Sequence, residues 1–394
     1  MSSSPTASPP SVQVCTRCIM DAAVPGVAFD SEGICNFCEV HDKLEKTFPL
    51  NASGAKKLES HLSKIKRDGR KKKYDCLIGV SGGRDSTYTL YLAKRVWGLR
   101  PLAVHFNNGF GNPVAGENMT QAVERLGVEM RTVTSDWREA KDLKISFLKA
   151  SVPGINISTD IGIATALYGT AVREGIRNIL IGQSFRTEGI APLSWNYLDG
   201  FYLKKIQEQF GTVKLRRWSP KDPGFNLDLH HLAYYTLWKR IKTIPVLYLV
   251  PYVRREAEEI LKRELGWVYP GAHYYDDLYQ SLMHYVYRVK FKIDRRIFNY
   301  SALVRSGQMS RDEALARMKE TYVIEDPSVI DLCIKRLGVT REELEEWMKR
   351  PTKTFRDYPN RYSLLRRFKG LIGVLSRMNL LPGTAYDKYF NCGT

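Results

Sequence analysis

Residues 75–97, DCLIGVSGGRDSTYTLYLAKRVW, decide the fold. The apolar run Cys76 to Val80 reads as a buried parallel strand, Ser81 to Asp85 as a tight glycine turn, and Ser86 to Trp97 as a helix with apolar residues at helical spacing. Strand, glycine turn and helix in that order make an anion site. Gly82 and Gly83 let the backbone come close to an anion, and the first-turn N–H groups, at the positive end of the helix dipole, point at it. Ser81 and Ser86 add hydroxyl donors, and Asp85 offers a hard oxygen suited to the magnesium that accompanies nucleotide phosphates. The GxxxxGK[ST] loop of γ-phosphate-transferring enzymes is absent.

The chain then alternates regularly. Leu102 to Phe106 reads as a strand, Glu117 to Leu126 as a helix, Glu129 to Val133 as a strand, Trp137 to Lys149 and Asp160 to Glu174 as helices, and Asn178 to Ile181 as a fourth strand. This pattern predicts an α/β fold with a parallel, doubly wound sheet, in which ligands sit beyond the carboxyl ends of the strands. The loops expected to carry function are therefore 81–86, 105–111 and 182–190.

In the last of these, GQSFRTEG (Gly182 to Gly189), Glu188 could share a magnesium ion with Asp85 across the strand ends, or it could cap a helix or pair with Arg186. His105 to Asn108 would lie where the nucleoside of a bound nucleotide is expected, unless they form a plain solvent loop. Asp160 opens a helix near the same strand ends, with a helix cap as its default role.

Upstream, Cys15-Thr-Arg-Cys18 and Cys35-Asn-Phe-Cys38 are separated by sixteen residues, the spacing of a structural zinc ribbon with two knuckles on one tetrahedral ion. Four thiolates close the coordination shell, so this metal would hold structure, and His41 stays outside the site. Seven cysteines with four in CxxC pairs fit a reducing compartment, and the polar, proline-rich start MSSSPTASPP has no apolar core region. The best apolar run, Ile244 to Val253, is ten residues long and is interrupted by Pro245 and Pro251, too short to span a bilayer. The expectation is a cytoplasmic protein with no membrane span.

Net charge is +18, from 60 Lys and Arg against 42 Asp and Glu, which favours anionic partners without choosing among them. Part of the excess lies in KIKRDGRKKK (Lys64 to Lys73), which reads as a solvated connector. Beyond Leu198 the pattern becomes helical and rich in aromatic and basic residues. The expected organisation is a disordered tail at 1–13, a zinc ribbon at 14–45, a basic connector at 46–73, a nucleotide domain at 74–200 and a helical substrate or partner region at 201–394.

The string SGGRDS after a strand resembles the SGGxDS loop of the N-type ATP pyrophosphatases, the PP-loop superfamily with the adenine-nucleotide α-hydrolase type of fold. Together with CTRCIM…FDSEGICNFC, GQSFRTEGIAP with Trp195, ELGW (Glu264 to Trp267) and FKIDRR…SALVRSGQMSRDEAL, most of residues 14–320 resembles the N-acetyl sugar amidotransferases of bacterial surface-polysaccharide and sialic-acid-like sugar pathways. The resemblance implies an enzyme that cleaves ATP to AMP and diphosphate, adenylates an acetamido oxygen on a nucleotide-activated sugar, and lets ammonia replace it to give an acetamidino group, in pathways such as lipopolysaccharide O-antigen synthesis. The candidates for holding ATP are Ser81, Gly82, Gly83, Arg84, Asp85, Ser86, His105, Asn107, Gly182 and Thr187, His105 by its position alone, with Asp85 and Glu188 as the expected catalytic magnesium ligands. Asp160, His273 and Tyr274 are candidates for the acceptor site. Where the family is expected to read close to GGKHYES, this chain has Pro270-Gly-Ala-His273-Tyr274-Tyr-Asp276, lacking the lysine and the glutamate. No glutaminase nucleophile is visible, so ammonia is expected from a separate glutaminase subunit, with a cyclase-like barrel companion, of the imidazole glycerol phosphate synthase kind.

Two rival readings stand beside this one. A sulfur-transferring PP-loop enzyme acting on tRNA or a small molecule would suit the charge, yet outside the zinc pairs only Cys76, Cys333 and Cys392 remain to carry sulfur, and nucleic acid is not the expected partner. A zinc-ribbon scaffold with a decayed nucleotide site is opposed by the intact SGGRDS.

Overall fold

The computed structural model describes residues 12–269, 276–321, 325–377 and 389–390. The disordered tail expected at 1–13 lies almost wholly outside the described residues, as do His273 and Tyr274.

Two helices, α1 (Asn36–Thr47) and α2 (Ala52–Gly69), precede a parallel sheet built from β1 (Cys76–Gly79), β2 (Pro101–Asn107), β3 (Met130–Thr134), β4 (Asn178–Ile181) and β5 (Lys242–Pro245). Between the strands run α3 (Arg84–Tyr91), α4 (Pro113–Leu126), α5 (Trp137–Ala150), α6 (Ile157–Arg173), α7 (Gly200–Phe210) and α8 (Leu229–Ala233). The order across the sheet is β3-β2-β1-β4-β5, and every pairing is parallel. The expected fold, a doubly wound parallel sheet with an N-terminal four-cysteine module and a helical C-terminal region, is the one observed.

Alternate residues of β1 face opposite layers. Cys76 and Ile78 pack with Leu90 of α3 and with Met119, Ala122 and Leu126 of α4, whose 3–4 spacing makes one helical stripe. Leu77 packs on the other side with Leu167 and Ala171 of α6. Each such fully buried Leu or Ile contributes roughly 1.5–3 kcal/mol, so β1 is pinned from both faces and its C-terminal end is fixed in space.

Several expectations are corrected. The helix after the glycine turn starts at Arg84 and ends in a π-helical turn, Leu92–Val96. Only parts of 199–242 are helical, and Lys242–Pro245 adds the edge strand β5, so the span 74–200 holds four of the five strands. Lys242 is half exposed and Pro245 ends the pairing, which hid β5 from an alternation test. The basic connector carries α2, capped by Asn51, which accepts from Ser53 and Gly54 amides.

The remaining chain forms α9 (Arg254–Leu265), α10 (Tyr279–Val286), α11 (Arg296–Arg305), α12 (Arg311–Lys319), α13 (Pro327–Leu337), α14 (Arg341–Lys349), α15 (Tyr362–Arg367) and α16 (Lys369–Arg377). Among the described residues no helix is long and apolar enough to cross a membrane.

Candidate functional site

The glycine turn is shaped by its neighbours as much as by its own residues. Gly82 has φ +77°, and a Cβ there would stand 2.0 Å from the Ala115 carbonyl oxygen, so only glycine fits. Its carbonyl accepts from Trp267 Nε1 at 2.9 Å and from Asn118 Nδ2 at 3.2 Å. Ser86 Oγ accepts from the Ser81 amide and donates to the Gly83 carbonyl, both at 3.2 Å. No side chain caps α3 at Gly83, so the first-turn amides remain turned to the loop. Trp267→Phe removes the indole donor and leaves Asn118 in place. It should cost about 1 kcal/mol in denaturant titrations.

The structure brings Asp85 and Glu188 together. Asp85 stands in the first turn of α3, buried at 8 % exposure, and its Oδ1 accepts from Arg84 Nε at 2.7 Å and from the Tyr252 hydroxyl. Arg84 is also 2.9 Å from Glu258 of α9. Glu188 follows β4 in a turn closed by its amide on the Ser184 carbonyl at 2.9 Å. Burial and the neighbouring Asp85 carboxylate push Glu188 up to about 8, against the pull of Arg84. Gly182 permits this approach: a Cβ there would lie 2.7 Å from the Asp85 carbonyl. Arg186, the other partner considered for Glu188, is instead engaged by Glu45 through two bonds of 2.7 Å.

The other expected residues have different local partners. His105 Nδ1 lies 3.1 Å from the Val80 carbonyl, tying β2 to the end of β1, and burial lowers its pKa. Asn107 Oδ1 accepts from the Gly109 amide at 3.0 Å and shapes its own loop. Thr187 is buried, and its hydroxyl has no hydrogen-bond partner among the described residues. Asp160 does not cap α6. Asn156 holds the cap position, and Asp160 in the first turn accepts from Asn196 at 3.1 Å.

Sequence reasoning missed four participants. Tyr252 and Glu258 reach the Arg84–Asp85 pair from a distant part of the chain. Asp276 accepts a bond from the Ser81 side chain, and burial followed by the adjacent Asp277 charge pushes it up to about 7. Lys144 of α5 is 1 % exposed, 3.0 Å from Thr159 Oγ1 and 3.8 Å above the Tyr279 ring, and burial pushes it down to about 8. Only Lys144 carried a local signal, because it interrupts the apolar stripe of Ala140, Leu143, Phe147 and Leu148.

The four module cysteines are all buried, and their sulfurs lie within 4.8 Å of one another, a set that could hold a metal ion. Measured separations include Cys15–Cys38 at 3.9 Å, Cys18–Cys35 at 3.6 Å and Cys35–Cys38 at 3.7 Å. His41 is buried against Phe185 and near Glu45, outside the sulfur set.

A family model described as the C-terminal domain of WbpG-like LPS biosynthesis proteins matches residues 272–371. That stretch is similar to a WbpG-like C-terminal domain. The WbpG-like domain covers α10 to α15, and its α11 and α12 reach the cysteine module. An uncharacterized protein of Methanocaldococcus jannaschii is 28% identical over 127 residues, 32% of this chain, which spans 44% of that relative's length. Among solved structures, the NH3-dependent NAD synthetase of Campylobacter jejuni is 13% identical with a TM-score of 0.30, covering 76% of this chain and 98% of that one. The NMN synthetase of Francisella tularensis is 15% identical at 0.31, over 76% and 97%. The U34-tRNA thiolase NcsA of Methanococcus maripaludis, solved with its [4Fe-4S] cluster, is 14% identical at 0.31, over 78% and 89%. Likenesses this remote say nothing about the chemistry of the present chain.

Proposed function

We propose that the chain is an ATP-dependent amidotransferase of lipopolysaccharide synthesis, converting an acetamido group of a nucleotide-activated sugar into an acetamidino group. The carrying observation is the pairing of Asp85 and Glu188 beside an uncapped glycine turn at the end of β1. The WbpG-like domain supplies the pathway class.

An amide carbon is a poor electrophile because its oxygen is a poor leaving group. Attack of the acetamido oxygen on the α-phosphorus of ATP expels diphosphate and, as the amide nitrogen gives up its proton to solvent, leaves an O-adenylyl imidate. Ammonia then adds to the imidate carbon, loses a proton, and AMP departs with the original oxygen. In this reading the amides of Gly83 to Ser86 and the Ser81 and Ser86 hydroxyls hold the leaving diphosphate. Asp85 and Glu188 fit magnesium, since they are two hard carboxylates drawn together where each destabilises the other's charge. Bound there, magnesium would offset charge at the phosphates. Tyr252 and Arg84 fix the Asp85 rotamer by sharing Oδ1. His105, Asn107 and Thr187 border the nucleotide, with Asp160 on the acceptor side. Ammonia would come from a separate glutaminase with its barrel companion, and the cytoplasm is the expected compartment.

The cysteine module fits zinc. A tetrahedral zinc with Zn–S near 2.3 Å separates its sulfurs by about 3.8 Å, matching the observed spacing. A cubane cluster, with each thiolate on its own iron, would hold the sulfurs farther apart. Metal analysis of the purified protein should give about one zinc per chain, and a four-iron chromophore in its place would overturn the zinc assignment.

The test incubates the protein with ATP, magnesium, ammonium at high pH and a panel of nucleotide-linked 2,3-diacetamido sugars. AMP, diphosphate and a sugar about 1 Da lighter are expected as oxygen becomes NH; ADP with free phosphate would defeat the reading. Sulfur transfer is disfavoured because Cys76 is fully buried with its thiol pushed up by burial, and Cys333 is pushed up to about 12 by burial and Asp277. Cys392 lies outside the described residues. Replacing all three by Ser should leave amidine formation intact.

A further inference from the structure

We propose that the four-cysteine module places Glu188, with Glu45 and Arg305 as positioning residues acting through Arg186 and Ser306. The inference rests on the reading of Glu188 as a magnesium ligand, and it turns a module expected to be purely structural into part of the site.

Two routes run from the sulfurs to the turn that carries Glu188. The first follows α1, which begins beside Cys35, contains Cys38 and presents Glu45 two helical turns later. Glu45 grips Arg186 with both oxygens, Oε1 to Nε and Oε2 to NH2, each at 2.7 Å. The same guanidinium donates to the Phe48 carbonyl at 2.9 Å, just past α1, and to the Tyr248 carbonyl at 3.0 Å. Arg186 is only 3 % exposed, so its charge depends on Glu45 for compensation. Beside it, Phe185 stacks edge-on against His41 of α1 and against Tyr248.

The second route runs through α11. Arg305 donates to Cys38 Sγ and Cys18 Sγ, both at 3.4 Å, and the next residue, Ser306, donates its hydroxyl to the Arg186 carbonyl at 2.8 Å. Arg311 holds the same knuckle from α12 through the Cys15 and Cys18 carbonyls, at 2.9 and 3.1 Å. Both routes end on Arg186, one on its side chain and one on its backbone, two residues before Glu188. Loss of the metal should therefore release the turn from both sides. The 81–86 loop is held separately, by Asn118 and Trp267, and should not follow.

Hydrogen exchange on the full-length, zinc-loaded protein tests this directly. Glu45→Gln keeps all four sulfurs and replaces the ion pair with a neutral amide. It should speed exchange of the Thr187 and Glu188 amides by about tenfold or more, with zinc content and protection in β1 and β2 unchanged. Glu45→Asp should recover most of the protection. Removing the metal from the wild type with a chelator should loosen the same amides while β1 and β2 stay protected. Unchanged exchange of the turn in the zinc-loaded Glu45→Gln protein would overturn the proposal. If that variant fails to fold, an unchanged turn in the metal-stripped wild type does the same. Loosening of the turn in a protein that forms no AMP would leave the positioning role standing and sink the amidotransferase reading, so the two failures are distinguishable.

Discussion

Glu188→Gln should abolish AMP and diphosphate formation, by about a thousandfold or more, and at the same time stabilise the metal-free protein at pH 8. The two effects share one cause. Burial and the Asp85 carboxylate raise the folded-state pKa of Glu188 to about 8, whereas an unfolded glutamate titrates at roughly 4.3. A carboxyl raised in this way is fully compatible with folding below the unfolded value. Stability is lost progressively as pH rises from there through the folded pKa. At about 1.4 kcal/mol per unit, discounted because Glu188 is half-buried and coupled to Asp85, the penalty at pH 8 is about 2 kcal/mol. The neutral glutamine escapes it. Thermal melts of wild type and variant without magnesium should therefore converge near pH 4 and separate by several degrees at pH 8, the variant melting higher. Magnesium should raise the wild-type melting temperature and leave that of the variant nearly unchanged. Equal melts at pH 8 would show that the two carboxylates do not press on each other.

The second large effect belongs to Gly82→Ala. A single methyl group meets the Ala115 carbonyl at 2.0 Å, in a backbone conformation of φ +77°. The three nearest atoms all belong to the Ala115 backbone and none is a yielding side-chain tip, so the loop must move, and moving it breaks the bonds from Trp267 and Asn118. A loss of about 3 kcal/mol or more is expected, together with loss of nucleotide binding by calorimetry beyond about a hundredfold. Near-wild-type affinity in this variant would remove the 81–86 turn from the nucleotide site.

Local strings made much of this legible in advance. The glycine turn and the two CxxC pairs each announce their chemistry within a few neighbouring residues, and the sheet's first four strands alternate with helices of clear period. Long-range partners were silent by comparison. Tyr252 and Glu258 reach Arg84 from 168 and 174 residues away, Tyr252 from the apolar run that had drawn notice only as a membrane candidate and Glu258 from the helix that follows it. From the sequence, Arg186 was considered only as a partner for its neighbour Glu188. The structure chose Glu45, 141 residues upstream, because α1 folds back onto the turn. Strand β5 escaped because four residues with lysine at one end and proline at the other show no period. Asp160 was misplaced by a single helical turn, Asn156 being a cap that uses no side-chain bond.

The cysteine module is made early and closed late. During synthesis Cys15, Cys18 and Cys38 leave the ribosome long before Arg305 and Arg311, which bond to them from 267 to 296 residues further along. At about 5–20 residues per second, the nascent thiolates wait on the order of fifteen seconds to a minute for their guanidinium cover. The contacts of α11 and α12 with the cysteine module can form only after that interval, which puts them among the later events of folding. A chain arrested before residue 305 would thus carry all five strands of the sheet and a cysteine module still lacking the guanidinium cover that α11 and α12 bring to it.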